Sequence, residues 1–236
     1  MYSELTKHLD QYVRKQLEHY KIHSDVQPSR VRPVITLSRE FGCEGLPVAG
    51  KLAERLKSLD DSEWLIYNRK IISEITDTDE FDQELMQAMS EHQRSQVSQF
   101  IEHLLAHKPN NYNLYKQMAR SVKALSSKGH CIIVGAAGAI LNREQENALH
   151  IRLKANEEFR IERISRLLSL DRRKTIDFIE ENEESRQRMI KNFTGKNVED
   201  SAHYDLIIDN SRFNANQIVE FIVKGLQFRI PEWQTQ

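Results

Sequence analysis

Two glycines, Gly42 and Gly45, stand between an apolar run and a helical pattern in the stretch VITLSREFGCEGLPVAGKLAERL, Val34 to Leu56. A turn of that kind aims backbone N–H groups and the positive end of a helix dipole at one point, which is a ready anion site. Glycines there permit tight backbone geometry. An ordinary strand-to-helix turn has the same pattern, so the two glycines alone leave both readings open. Arg39 lies beside the turn. Further along, Arg160, Arg163 and Arg166 recur at i, i+3 and i+6, Arg172, Arg173 and Lys174 follow, and Arg186 and Arg188 come later. Cations so spaced could neutralise phosphate oxygens. They could equally form a solvated helix surface laced with Glu157, Glu158 and Glu162.

Other reactive types offer less. Cys43 is near a helix N-terminus, which lowers a thiol pKa, but Glu44 opposes that effect. His103 and His107 have an i, i+4 metal spacing without the glutamate of a zinc-protease motif, so a polar helix face is the plainer reading. No metal site is expected from side-chain clusters. The aromatic residues are scattered and form no stacking platform, and a formal net charge of -1 offers no case for nucleic acid. No apolar run approaches bilayer length, so no membrane partner is expected. Two cysteines make no disulfide framework, and the opening is polar and amphipathic. The expectation is a cytoplasmic protein.

The elements that would position these residues can be read from periodicity. Short β-branched or apolar runs at Val34–Leu37, Leu65–Tyr67, Cys131–Val134, Leu149–Leu153 and Leu206–Ile208 predict five strands. Helical patterns lie between them. Ala49, Leu52, Ala53 and Leu56 share one helix face, and Pro47 fits a first helical turn. A helix starts near Arg69, a polar helical stretch covers 77–108, and another helix closes at Gly129. Two charged helices follow the fourth strand, and a last helix covers 214–227. Residues 3–20 form an amphipathic helix joined by a proline-containing linker. Strands alternating with helices imply a parallel sheet covered on both faces. The predicted organisation is an N-terminal helix and linker over 1–30, then one domain over 31–230 with a lid region near 155–200.

Five ordered pieces resemble the cytidylate kinase-like family. ITLSREFGCEGLPVAGKLAERL is similar to its phosphate-binding loop and following helix. IYNRKII, CIIVGAAGAIL, LHIRLKANEEFRIERI and EESRQRMIKNFTGKNVEDSAHYDLIIDNS follow in the family's order, from about Val34 to Ser211. The resemblance implies an α/β fold, a three-layer P-loop nucleoside-monophosphate-kinase-like domain with a five-stranded parallel sheet and a helical lid. It implies ATP and Mg²⁺ as cofactors and a nucleotide or small phosphorylated substrate. Ser38, Arg39, Glu40, Phe41, Gly42, Cys43 and Gly45 would hold donor phosphates. Arg39, Arg160 and Arg163 would neutralise the transferred group, and Asn68, Arg69 and Arg186 would hold the acceptor.

The departures point elsewhere. Glu44 replaces a glycine; repulsion between unit charges 4 Å apart is roughly 4 kcal/mol at an effective dielectric of 20. Leu46 and Ala136 stand where the family has arginines. Pro47 offers Mg²⁺ no hydroxyl, and Asn68 replaces an aspartate. Two functions therefore stay open: a phosphotransferase moving the γ-phosphoryl of ATP to a nucleoside monophosphate, or a degenerate nucleotide- or anion-binding pseudokinase that acts as a sensor or interaction protein. Self-association through the N-terminal helix is a further expectation.

Overall fold

In the computed structural model, residues 31–69, 72, 112–135 and 137–233 are described. The expected helix over 3–20, the polar stretch 77–108 with His103 and His107, and Ala136 lie outside the described residues. Five strands form one parallel sheet: β1 Val34–Arg39, β2 Leu65–Asn68, β3 Cys131–Val134, β4 Ala148–Lys154 and β5 Leu206–Asp209, in the order β2-β3-β1-β4-β5. The central strand β1 pairs on both sides, Val34 with Cys131 and with Ala148. A strand so placed has both faces covered, which is why VITL reads as an unbroken apolar run rather than an alternating one.

Helix α1 (Gly45–Asp60) follows β1 and buries Val48, Ala49, Leu52, Ala53 and Leu56, the stripe that the periodicity predicts. Helix α2 (Tyr112–Lys128) precedes β3, and Gly129 follows it at φ +68°. A short helix α3 (Gly138–Leu141) comes after β3. Helices α4 (Glu157–Leu168) and α5 (Arg172–Thr194) lie between β4 and β5, over the stretch expected to form a lid. Helix α6 (Ala215–Arg229) closes the domain. Asn156, Asp171 and Asn214 cap α4, α5 and α6 by accepting from backbone N–H groups of the first turn. Each strand is one or two residues longer than the apolar run that predicts it, except β3, which matches. The added residues are mostly polar ones, such as Ser38, Arg39 and Asn68, at strand ends next to the site.

Strand pleating assigns the layers. Gly138 of α3 lies against Thr36 and Ile133, so α3 covers the face to which Thr36 points. Gly225 of α6 lies against Leu149 and Leu206, and α6 packs on α1 across the other face. The architecture is therefore α/β with helices on both sides of the sheet. The lid pair has its own small apolar core of Ile161, Ile164 and Ile179, and Phe41 from the loop after β1 packs into it. Its ring meets Phe178 edge-on, with centroids 5.7 Å apart. The loop and the lid are thus one packed unit. No helix among the described residues is long and apolar enough to cross a membrane.

Candidate phosphate-binding site

The loop between β1 and α1 sits at the C-terminal edge of the sheet, where β1, β3 and β4 all end. A cavity of about 400 Å³ opens there, within the usual range for small-molecule sites. Ser38, Arg39, Glu40, Phe41, Gly42, Cys43, Gly45, Arg69, Arg163 and Arg186 line it together, although they come from four regions of the chain. The opposite wall is apolar: Ile140, Ile164, Leu167, Met189 and Ile190. Arg160 and Asn68 do not reach the cavity. The Cβ of Arg160 backs Gly42, where any added Cβ would meet it at 2.7 Å, and its side chain lines a separate groove between α4 and α5. Asn68 is buried at the end of β2, paired in register with Val134.

The loop's backbone donors divide into used and open. Glu40 N–H donates to Leu153 O and Cys43 N–H to Glu40 O. Phe41 N–H donates to Glu183 Oε2 at 2.6 Å, and Glu44 N–H to Asn210 Oδ1 at 2.7 Å. The N–H groups of Gly45 and Leu46 open α1 and have no intrahelical partner, as in any first turn. Pro47, next in line, has no N–H to give. The donor face of the loop is therefore narrower than a full phosphate-binding loop, and it lacks both the loop lysine and the metal-binding hydroxyl.

Arginines supply what the backbone does not. Arg39 runs between the loop and the turn after β3: a Cβ on Gly45 would sit 3.1 Å from its Cδ, and one on Gly135 would sit 2.4 Å from Nη1. Glycine at both positions is what leaves room for it. Burial, then the neighbouring Arg186, push the Arg39 pKa down to about 10, with Glu183 opposing. Among the described residues no hydrogen bond or ion pair engages the guanidinium of Arg39 or of Arg69. Arg186 is committed to Glu183 and to the carbonyl of Arg39. Arg163 donates to Gly42 O at 3.2 Å, and its Nε lies 3.7 Å from Glu44 Oε1.

That last contact answers the question that Glu44 raises. Its carboxylate faces Arg163 and does not line the cavity. Arg163 offsets the charge and is in turn drawn from other anions. Glu40 has a bracing role: its Oε2 accepts from Ala155 N–H at 3.0 Å, which ties the loop to the end of β4. Cys43 is buried, and burial and Glu40 push its thiol up to about 12. That environment disfavours the thiolate. For Mg²⁺ the residues do not fit: Pro47 has no hydroxyl, and no group of three or more His, Cys, Asp or Glu among the described residues could hold a metal.

Sequence reading missed Tyr204 and Arg152. The Tyr204 hydroxyl is 3.3 Å from Ser38 Oγ at the cavity wall. Arg152, fully buried on β4, stands behind it. A visible signal was available, since His150, Arg152 and Lys154 place three polar residues on one face of an otherwise apolar strand.

A crystal structure of an uncharacterized protein from Eubacterium ventriosum superposes with a TM-score of 0.62 at 18% identity, covering 84% of this chain and 99% of that one. Shikimate kinase from Bacteroides thetaiotaomicron aligns with a TM-score of 0.47 at 11% identity, covering 83% of this chain and 98% of its own. No curated protein matches the chain. The family model described as the cytidylate kinase-like family matches residues 34–212. That match takes in the loop, both lid helices and all five strands, and the chain belongs to the cytidylate kinase-like family.

Proposed function

We propose that this kinase-like protein binds the phosphate groups of a nucleotide, or of a comparable small phosphorylated compound, and has lost magnesium-dependent phosphoryl transfer. The observation that carries this reading is the pair of guanidinium groups, Arg39 and Arg69, that no described residue engages by hydrogen bond or ion pair, on a cavity that Gly45 and Leu46 of the first turn of α1 also line. Arg39 is largely desolvated and has only the Glu183 carboxylate, itself bonded to Arg186, to offset its charge, so a bound anion relieves the cost; Arg69 is exposed and free to turn toward that anion. The apolar wall of Ile164, Leu167 and Met189 suits the body of a ligand whose charged end meets the arginines. Transfer asks for more: a cation on the β- and γ-phosphates and a metal between them. Leu46 and Pro47 supply neither. Two free, buried thiols fit a reducing, cytoplasmic compartment.

Family membership favours a second reading, transfer of the γ-phosphoryl of ATP to a nucleoside monophosphate. Arg39, Arg163 and Arg186 would then neutralise the moving group, and Arg69 would orient the acceptor. One experiment separates the two. Purified protein is incubated with γ-labelled ATP, Mg²⁺ and each nucleoside monophosphate, while thermal shift records binding in parallel. Binding without labelled diphosphate product supports the first reading. Product formed in proportion to enzyme, and lost in Arg39→Met, establishes the second. Self-association through residues 1–27 is tested by deleting them and measuring mass in solution.

A further inference from the structure

Arg152 sits on the interior strand β4, between β1 and β5, in register with Ser38 of β1. Its side chain is 2% exposed. Nη1 donates to Val198 O at 3.0 Å and to the Tyr204 hydroxyl at 3.4 Å. The guanidinium carbon lies 5.5 Å from the centre of the Tyr204 ring. Nη2 has no hydrogen-bond partner among the described residues. The carboxylate paired with it is Glu199, 3.9 Å away and 53% exposed, which is too far to bond and well screened by solvent.

A buried guanidinium normally rests on a close carboxylate. Arg186 does so with Glu183 in this same protein. Arg152 has two neutral oxygens instead, so most of its positive charge is uncompensated. The groups around it face one way. Ser38, Tyr204 and Val198 all line the cavity, and Arg152 touches or neighbours each of them one layer behind. The Tyr204 hydroxyl donates to Val198 O at 2.6 Å, lies within 3.3 Å of Ser38 Oγ, and accepts from Arg152.

We propose that Arg152 is a positioning and electrostatic residue for the Ser38–Tyr204 end of the cavity, and that this end is a second phosphate subsite, opposite the subsite formed by α1 and Arg39. It fixes Tyr204 and Ser38 by hydrogen bonding and lends them the field of a desolvated cation. This inference rests on the phosphate-binding reading above and adds the part of the ligand that it serves: a diphosphate, or a second phosphoryl group, rather than a single one. Pinning the segment near Val198 is the competing structural role, and it predicts different outcomes.

The test is calorimetric titration of the full chain with inorganic pyrophosphate, with thermal unfolding of the ligand-free protein alongside. In Arg152→Met, the proposal expects binding weaker by about tenfold, equivalent to the loss of about 1.4 kcal/mol, with an unfolding temperature unchanged or raised. Affinity within twofold of the parent overturns it, whatever the stability. Glu199→Gln is exposed and safe for folding, and it decides the matter if the first variant does not fold. Removing the distant counter-ion should tighten pyrophosphate binding by about twofold to threefold at low salt and steepen its salt dependence, since screening erases the gain. Unchanged or weaker binding in that variant overturns the proposal. No heat with the parent protein is a separate result: it sinks the phosphate-binding reading itself.

Discussion

Glu44→Gln removes one charge from the mouth of the phosphate site and keeps the backbone N–H that donates to Asn210. The Glu44 carboxylate is held 3.7 Å from Arg163, with side-chain exposures of 32% and 26%. A half-exposed pair of this kind contributes about 0–1 kcal/mol to stability, so the variant should unfold within a few degrees of the parent. The effect on binding is larger and opposite in sign. For a phosphate charge taken to lie about 8 Å from the carboxylate, the repulsion is roughly 0.5 kcal/mol at a dielectric of 80 and roughly 2 kcal/mol at 20. A middle value of about 1 kcal/mol gives about fivefold tighter binding. Arg163, freed from Glu44, adds to the same direction. Calorimetric titration with ATP in the absence of metal reads this out, at low salt and again at about 0.5 M salt, where screening should shrink the gain. Unchanged or weaker binding at low salt would refute the reading that the Glu44 charge, held behind Arg163, acts on the ligand.

Restoring the missing groups with Leu46→Lys and Pro47→Ser should make ATP binding both tighter and magnesium-dependent; a titration that remains indifferent to Mg²⁺ would contradict the assignment of this turn as the donor site. Phe41→Ala should release the loop from the Ile161–Ile164–Ile179 core at a cost of about 1–3 kcal/mol, and amide exchange in α4 and α5 should rise while β1 stays protected. His150 is buried with its Nδ1 at 2.8 Å from Thr36 Oγ1, and burial pushes its pKa down to about 4, opposed in part by Asp205. Between pH 6.5 and 4 the unfolded chain binds the proton and the folded one does not, so stability is complete above pH 6.5 and falls as pH drops through that window. Unfolding temperature against pH should show this slope, and His150→Gln should flatten it.

The five strands and the α1 stripe were legible because buried parallel strands and amphipathic helices announce themselves within a short window. Val34–Leu37 and Ala49–Leu56 need no distant residue to be understood. The losses at the loop were equally legible: Leu46 and Pro47 lack the required groups whatever surrounds them. What escaped depends on contacts between distant segments. Arg160 and Arg163 look equivalent in sequence, three positions apart on one helix. Packing separates them, because the Cβ of Arg160 is used against Gly42 while Arg163 reaches the cavity. Glu44 reads as a simple obstacle to phosphate until Arg163, 119 positions along, is placed beside it. Arg152 reads as one polar residue in a strand. Its meaning comes from Ser38 and Tyr204, which lie far from it in sequence and meet it only through the sheet order β1-β4-β5.

The most direct measurement is calorimetric titration of the full chain with ATP, once with Mg²⁺ and once with a chelator. If Arg39, Arg69 and the first turn of α1 hold the phosphates as proposed, and no residue of the loop holds a metal, both titrations give clear heat with the same affinity. No heat at millimolar ATP, or binding that tightens strongly when Mg²⁺ is added, would contradict that reading.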